Sequence, residues 1–168
     1  MNAAEVLIDF VGRIEGEVHR VLDGLSSEEL NYRPDPQANT ISWLIWHLTR
    51  VQDDHIAAVA DLEQVWTAQG WYERFELPFP PAAHGYGQNP DEVAKVTADV
   101  DLLLGYYDAV HEQSLTFLKG LTDTDLDRIV DDAWDPPVTL GVRLISVLSD
   151  DLQHIGQAAY VLGLATRR

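Results

Sequence analysis

The sequence AEVLIDFVGRIEGEVHRVLDG, residues 4–24, shows the pattern that decides the fold. Its apolar residues recur every three or four positions, which is the spacing of one face of an α-helix. Gly24 stands where such a helix commonly ends. The apolar positions are Val6, Leu7, Phe10, Val11, Ile14, Val18, Val21 and Leu22. The segment is therefore predicted to be a long amphipathic helix.

Three further segments repeat this pattern, and each has its own start or stop signal. Thr40 and Thr139 are placed to cap the second and fourth helices, Asn89 and Pro90 to open the third, and Gly163 to close the fourth. No alternating strand pattern accompanies them. The predicted helices cover residues 4–24, 40–61, 90–118 and 140–162. This pattern predicts an all-α protein, a four-helix bundle with long connections, in one domain over residues 1–168.

The connection over residues 66–89 differs in composition from the helices. It mixes aromatic residues with proline and glycine. A loop of this length is uncommon in a compact domain and is more often functional or packed as a lid than a simple connection. The loop is predicted to wall a pocket. Its aromatic residues are Trp66, Trp71, Tyr72, Phe75, Phe79 and Tyr86.

Composition excludes several classes of function. The chain has 28 acidic and 11 basic side chains, a net charge of −17, so phosphate backbones and anionic membranes would repel it. The absence of cysteine excludes disulfides, thiolate zinc sites and a cysteine nucleophile. The 46% hydrophobic content is too high for a disordered acidic chain. With no signal peptide or membrane-spanning run, a soluble, cytoplasmic protein is expected.

One pair of residues on the fourth helix has the spacing of metal ligands. Asp150 and His154 are four residues apart, so both can reach one ion. His47 lies on the apolar side of the second helix and is the best third ligand, and Asp54 could orient a ligand or a bound water. Periodicity leaves open whether Asp150 and His154 face solvent or an internal cleft. The alternative for His47 is that it packs in the core as a hydrogen-bonded residue and binds no metal.

Other catalytic patterns are missing. No glycine-rich phosphate loop follows a strand, and no His-Glu-x-x-His motif occurs. The serines have no neighbours that mark a nucleophile, so no catalytic residue is assigned. Trp43, one turn before His47, is either core packing or a pocket wall.

Two stretches resemble the DinB-like superfamily of four-helix metalloproteins, which includes mycothiol-dependent maleylpyruvate isomerases and bacillithiol transferases. They are ISWLIWHL, residues 41–48, and DDLQHIGQ, residues 150–157. The resemblance implies that His47, Asp150 and His154 bind a divalent metal, Zn²⁺ or Ni²⁺. Asp150 departs from the family pattern, because it is shorter than the usual glutamate or histidine. Asp151 is therefore an alternative ligand, and loss of the metal is an alternative outcome.

The resemblance also implies an activity. The chain is expected to be a thiol-dependent transferase or isomerase of the mycothiol type, in which the metal activates a small thiol as cosubstrate. Arg50 or Arg143 would hold a carboxylate of the thiol or of the small-molecule substrate, and the chain is expected to form a homodimer. The alternatives are a metal-dependent hydrolase and a non-catalytic bundle that binds a ligand.

Overall fold

The computed structural model describes residues 1–167, and four helices of 20 or more residues dominate that part of the chain. The shorter elements lie in the connections between them. None of the described helices has the length and apolar character that crossing a membrane requires. In chain order the elements are α1 (Ala3–Leu22), α2 (Ser27–Leu30), α3 (Ile41–Ala60), α4 (Val65–Ala68), α5 (Trp71–Phe75), α6 (Pro90–Val93), α7 (Val100–Lys119), a 3₁₀ turn (Asp123–Asp127), β1 (Ile129–Asp131), β2 (Val138–Thr139) and α8 (Leu140–Ala165).

The four long helices pack as a closed ring, in the order α1, α7, α3, α8 and back to α1. Each helix therefore contacts two neighbours. We call the contact between two neighbouring helices a seam, and the α3/α8 seam lies opposite the α1/α7 seam. Apolar residues from all four fill the centre, among them Ile14, Leu44, Tyr107 and Leu148. The all-α prediction is confirmed, because the strands contribute only a small two-stranded hairpin.

The helix starts predicted from capping residues are correct for α3 and α8. The Thr40 side chain accepts a hydrogen bond from the Trp43 amide at 3.0 Å, and Thr139 accepts one from Val142 at 3.3 Å. The predicted end of the last helix is wrong, since α8 passes through Gly163 and ends at Ala165. Glycine weakens a helix but does not by itself stop one.

The predicted third helix over residues 90–118 is two helices. Asn89 does cap a helix, accepting from the Asp91 and Glu92 amides, but α6 ends at Val93. A new helix begins where the Asp99 carboxylate accepts from the Leu102 amide at 2.8 Å. The second N-cap was overlooked because the apolar spacing continues across the break.

Two connections contain structure that the sequence pattern did not indicate. Residues 66–89 include part of α4 and all of α5 rather than an unbroken loop. The connection before α8 forms an antiparallel pair in which Ile129 lies opposite Thr139 and Asp131 opposite Val138. These strands have three and two residues, too few for alternation to be recognised.

Candidate metal centre

The α3/α8 seam brings His47, Asp150 and His154 together. One ligand atom of each lies within 4.8 Å of the others. Asp150 and His154 lie one turn apart on α8, with Asp150 Oδ1 3.5 Å from His154 Nε2. The two imidazole centroids are 4.8 Å apart. The three residues singled out from the sequence thus form one cluster, and the shorter side chain of Asp150 does not keep it out.

The ring of His47 is held in one orientation by the loop that crosses it. Its Nδ1 contacts the His84 carbonyl oxygen, and because a carbonyl can only accept, Nδ1 carries the proton. Nε2 is then left with its lone pair free on the side of the cluster. Burial lowers the pKa of His47, although the hydrogen bond to His84 opposes this effect. A neutral imidazole with an oriented lone pair is the form that binds metal.

Asp150 and His154 are arranged as partners. His154 Nδ1 lies 2.9 Å from the Gln157 side-chain oxygen, so that Nε2 faces Asp150. Burial acts against both charges, but the mutual contact outweighs it: the pKa of Asp150 is lowered and that of His154 is raised. The other carboxylate oxygen, Asp150 Oδ2, is buried and lacks a hydrogen-bond partner among the described residues. A cation would satisfy that oxygen.

Arg50 anchors the loop that orients His47. Its guanidinium is completely buried and donates to the carbonyls of Pro81 and Ala83 at 3.3 and 3.1 Å. It also donates to the side chains of Gln64 and Tyr106. Arg50 was expected to bind a carboxylate of a substrate or thiol, but these contacts direct it to the loop backbone. Its position fits a structural role.

Gly85 allows the loop to approach His47 closely. A Cβ atom at this position would lie 2.6 Å from His47 Nδ1, and the backbone φ of +99° is one that side chains other than glycine rarely adopt. Trp43 stacks on the imidazole with ring centroids 4.5 Å apart, and the same Cβ would lie 3.1 Å from the Trp43 ring. Trp43 in turn donates from Nε1 to Gln88 at 2.7 Å. The indole therefore covers one face of the His47 ring, and the loop contacts its Nδ1 edge.

A cavity of about 250 Å³ opens beside the cluster. Its wall includes Asp54, whose carboxylate accepts a hydrogen bond from Gln64 at 2.7 Å. Asp54 therefore lies beside the ligand cluster but outside the set of three, as expected for a residue that orients something bound there. The cavity is lined by His47, Val51, Asp54, His55, His84, Tyr86 and Asp150.

The structure separates two other predicted residues from the cluster. Asp151 is fully buried in the bundle, and neither carboxylate oxygen has a hydrogen-bond partner among the described residues. Burial raises its pKa well above the usual range, so Asp150 and not Asp151 joins the histidines. Arg143 lines a neighbouring cavity of about 490 Å³ with Arg128, and it donates to Asp131 at 2.8 Å.

Three features of the centre escaped sequence reasoning. The His84 carbonyl belongs to the backbone and has no sequence signal. Gly85 stands in a Gly-Tyr-Gly stretch, residues 85–87, whose pattern does not indicate a close contact with His47. His55 lines both the 250 Å³ and the 490 Å³ cavities, and its position two turns after His47 could have suggested that the two histidines share a face.

Comparison with known proteins reveals two likenesses. The model of the DinB superfamily matches residues 13–158, a range that includes all three cluster residues. The crystal structure of a conserved protein of a locus from Enterococcus faecalis is similar, with a TM-score of 0.93 and 30% sequence identity. The likeness covers 100% of this chain and 99% of that one. No curated protein matches the sequence.

Proposed function

This chain belongs to the DinB superfamily, and on that basis we propose that it is a divalent-metal enzyme that uses a small thiol as cosubstrate. The reaction would be a transfer to the thiol sulfur or an isomerisation assisted by it. The family model matches residues 13–158, which include the three cluster residues. The thiol and the reaction are our inference.

The single observation that carries the proposal is the set of three ligand atoms at the α3/α8 seam. Two imidazoles and one carboxylate suit Zn²⁺ or Ni²⁺, and three protein ligands leave a coordination position open. The unpartnered Asp150 Oδ2 and the free Nε2 of His47 fit such an ion. A bound ion would lower the pKa of a thiol at the open position and favour the thiolate.

The protein residues contribute orientation rather than a nucleophile, since the chain has no cysteine. The His84 carbonyl and Gln157 hold the two imidazoles with Nε2 toward the cluster. Trp43 covers one face of His47, and the Gly85 backbone covers its Nδ1 edge. Together they limit the access of water to that ligand, so that a thiolate would keep its reactivity at the open position.

A larger cavity supports the binding of a polar cosubstrate. It has a volume of about 610 Å³ and adjoins the cluster through Gln157, which bonds His154. Amide side chains dominate its polar lining and offer both donors and acceptors to hydroxyl and amide groups. The amide residues in its wall are Gln37, Asn39, Gln153 and Gln157.

The cavity that holds Arg143 supports an acidic substrate. Two guanidiniums, of Arg128 and Arg143, line it in a chain of net charge −17. His55 separates it from the cluster cavity, so a small molecule could present a carboxylate to the arginines and its reacting atom to the thiol. Arg143→Ala is expected to raise KM for an acidic electrophile, with little change for a neutral one.

Two further features belong to the proposal. We infer a cytoplasmic location, because small thiols are kept reduced there. We also infer a homodimer, supported by exposed apolar residues along α8. Val142, Ile145, Leu152 and Tyr160 recur at intervals of three, seven and eight residues, which places them along one side of the helix.

Metal content and thiol dependence test the proposed function together. Purified protein is expected to carry Zn²⁺ or Ni²⁺, and His47→Ala or His154→Ala should each lose one equivalent by elemental analysis. His84→Ala is the matched control, because the carbonyl that contacts His47 remains. Alkylation of N-acetylcysteine by bromobimane should be accelerated by the wild type but not by His47→Ala. Metal content unaffected by both ligand variants would refute the centre, and turnover without thiol would favour a hydrolase.

A further inference from the structure

A second group of histidines and carboxylates lies on the α1/α7 seam, opposite the first. His19 Nε2 is 2.7 Å from Asp108 Oδ1, and Glu15 Oε2 is 3.4 Å from His111 Nε2. Because α1 and α7 run antiparallel, the Glu15–His111 pair and the His19–Asp108 pair lie one helical turn apart along the contact between the two helices. We propose that Glu15, His19 and Asp108 form a second binding site for a divalent metal of the Zn²⁺ class, which joins α1 to α7 next to the buried His111.

The distances suit one ion. Ligand atoms of Glu15, His19 and Asp108 all lie within 4.8 Å of one another. Zinc binds nitrogen and oxygen at about 2.0–2.2 Å, so tetrahedral ligands lie about 3.3 Å apart. The His19–Asp108 contact must therefore open by a little over half an ångström and the longer distances must contract. Both are small movements for side chains that are about half exposed.

His111 provides an independent indication of a ligand. Its side chain is deeply buried, with 7% exposed. Nδ1 has no hydrogen-bond partner among the described residues, and Nε2 is directed toward Glu15. A buried imidazole with so few polar contacts is costly to maintain. His111 contacts Glu15 but is not one of the three residues whose ligand atoms all lie within 4.8 Å of one another, so it marks the buried edge of the site rather than a fourth ligand.

The alternative is that these residues form two ordinary ion pairs. Exposed pairs of this kind contribute little, typically below about 1 kcal/mol. Two separate pairs would not require ligand atoms of Glu15, His19 and Asp108 all to lie within 4.8 Å of one another. The site does not depend on the proposed function, because it shares no residue and no helix with the α3/α8 cluster.

Removal of the first cluster isolates the second. The full-length variant His47→Ala/His154→Ala, freed of metal by a chelator, is titrated with Zn²⁺ by calorimetry while its thermal unfolding is followed. It is expected to bind one equivalent and to unfold at a higher temperature with Zn²⁺. Adding His19→Ala should abolish both effects. Glu17→Gln is the matched control on α1: it removes a charge that pairs with Arg20 and should leave binding unchanged.

Three results would overturn the inference. They are no binding by the double variant, binding that survives His19→Ala, and weak binding at several sites that indicates an adventitious ion only. Should the double variant not fold, the His19→Ala single variant takes its place, and its Zn²⁺ stoichiometry should fall from two to one. Retention of both equivalents, or a wild type whose single equivalent survives His19→Ala, would count against the site. Loss of the α3/α8 metal alone would contradict the proposed function and leave this site intact.

Discussion

The two seams of the bundle carry the same ligand types at the same spacing in different surroundings. Asp150 and His154 on α8 and Glu15 and His19 on α1 are both carboxylate–histidine pairs four residues apart. At the α3/α8 seam, the third residue of the cluster, His47, is buried, and its ring is oriented by the His84 backbone carbonyl. At the α1/α7 seam, His19 and Asp108 are 46% and 49% exposed and bond to each other.

This difference shows that sequence spacing identifies possible metal ligands, whereas the surrounding residues orient those ligands for binding. A ligand whose ring is already oriented loses little freedom when it binds, and neighbouring hydrogen bonds raise its basicity. A pair that is already bonded to itself must first open. We therefore expect the α3/α8 centre to bind metal more tightly than the α1/α7 site. Each prediction below tests one part of this contrast.

The largest effect is expected from Arg50→Met. Arg50 on α3 anchors the Pro81 and Ala83 carbonyls of the loop that contacts His47, and it lies 3.7 Å from the buried Asp53 carboxylate. Its removal leaves that carboxylate without its buried cation, which costs about 3–5 kcal/mol of unfolding free energy. Denaturant titration measures the loss. Arg13→Met, at an exposed pair on α1, should leave the stability unchanged, and equal losses in the two variants would contradict the anchoring role.

The next effect concerns the loop that covers His47. In Gly85→Ala the new methyl group would displace His47 or the loop, so we expect about a 10–100-fold loss of Zn²⁺ affinity, as for other disturbed ligand partners. Calorimetry measures it. Gly87→Ala is the matched control: its φ of +75° imposes similar strain, but no atom lies within 4 Å of the added Cβ. If both variants bind alike, steric contact with His47 is not the cause.

A smaller change is expected from Gln157→Leu. This substitution removes the hydrogen-bond partner of His154 Nδ1 and leaves all three ligands in place. The affinity for Zn²⁺ should fall about 10-fold, measured by competition with a chelating dye. Gln153→Leu is the comparison, because within residues 1–167 Gln153 bonds only to Ser149 on its own helix. An unchanged affinity in Gln157→Leu would mean that ring orientation at His154 does not depend on this contact.

The smallest effect is expected at the opposite seam without metal. In the presence of a chelator, Asp108→Asn should lower the unfolding free energy by less than about 1 kcal/mol, because the His19–Asp108 pair is half exposed. Chemical denaturation measures the difference. With Zn²⁺ present the same substitution should cost more, as the proposed ligand is lost. A large loss in chelator would show that the ion pair alone holds the seam.

Prediction from the sequence succeeded where local rules act. Helical periodicity identified α1, α3 and α8, and the threonine caps located the starts of two of them. The start of α7 was misplaced because a second cap, Asp99, interrupts an apolar pattern that runs on. The hairpin was missed because two or three residues carry too little periodicity.

The sequence by itself determined the helical class and the superfamily, and it singled out the three candidate metal ligands. The tertiary structure alone decided which of two adjacent aspartates joins them. Asp150 and Asp151 are chemically identical, yet a step of one residue turns the side chain about 100° around α8. One carboxylate then faces the histidines, and the other lies fully buried without a partner. The orientation of His47 likewise depends on a distant backbone carbonyl, which packing alone brings into reach.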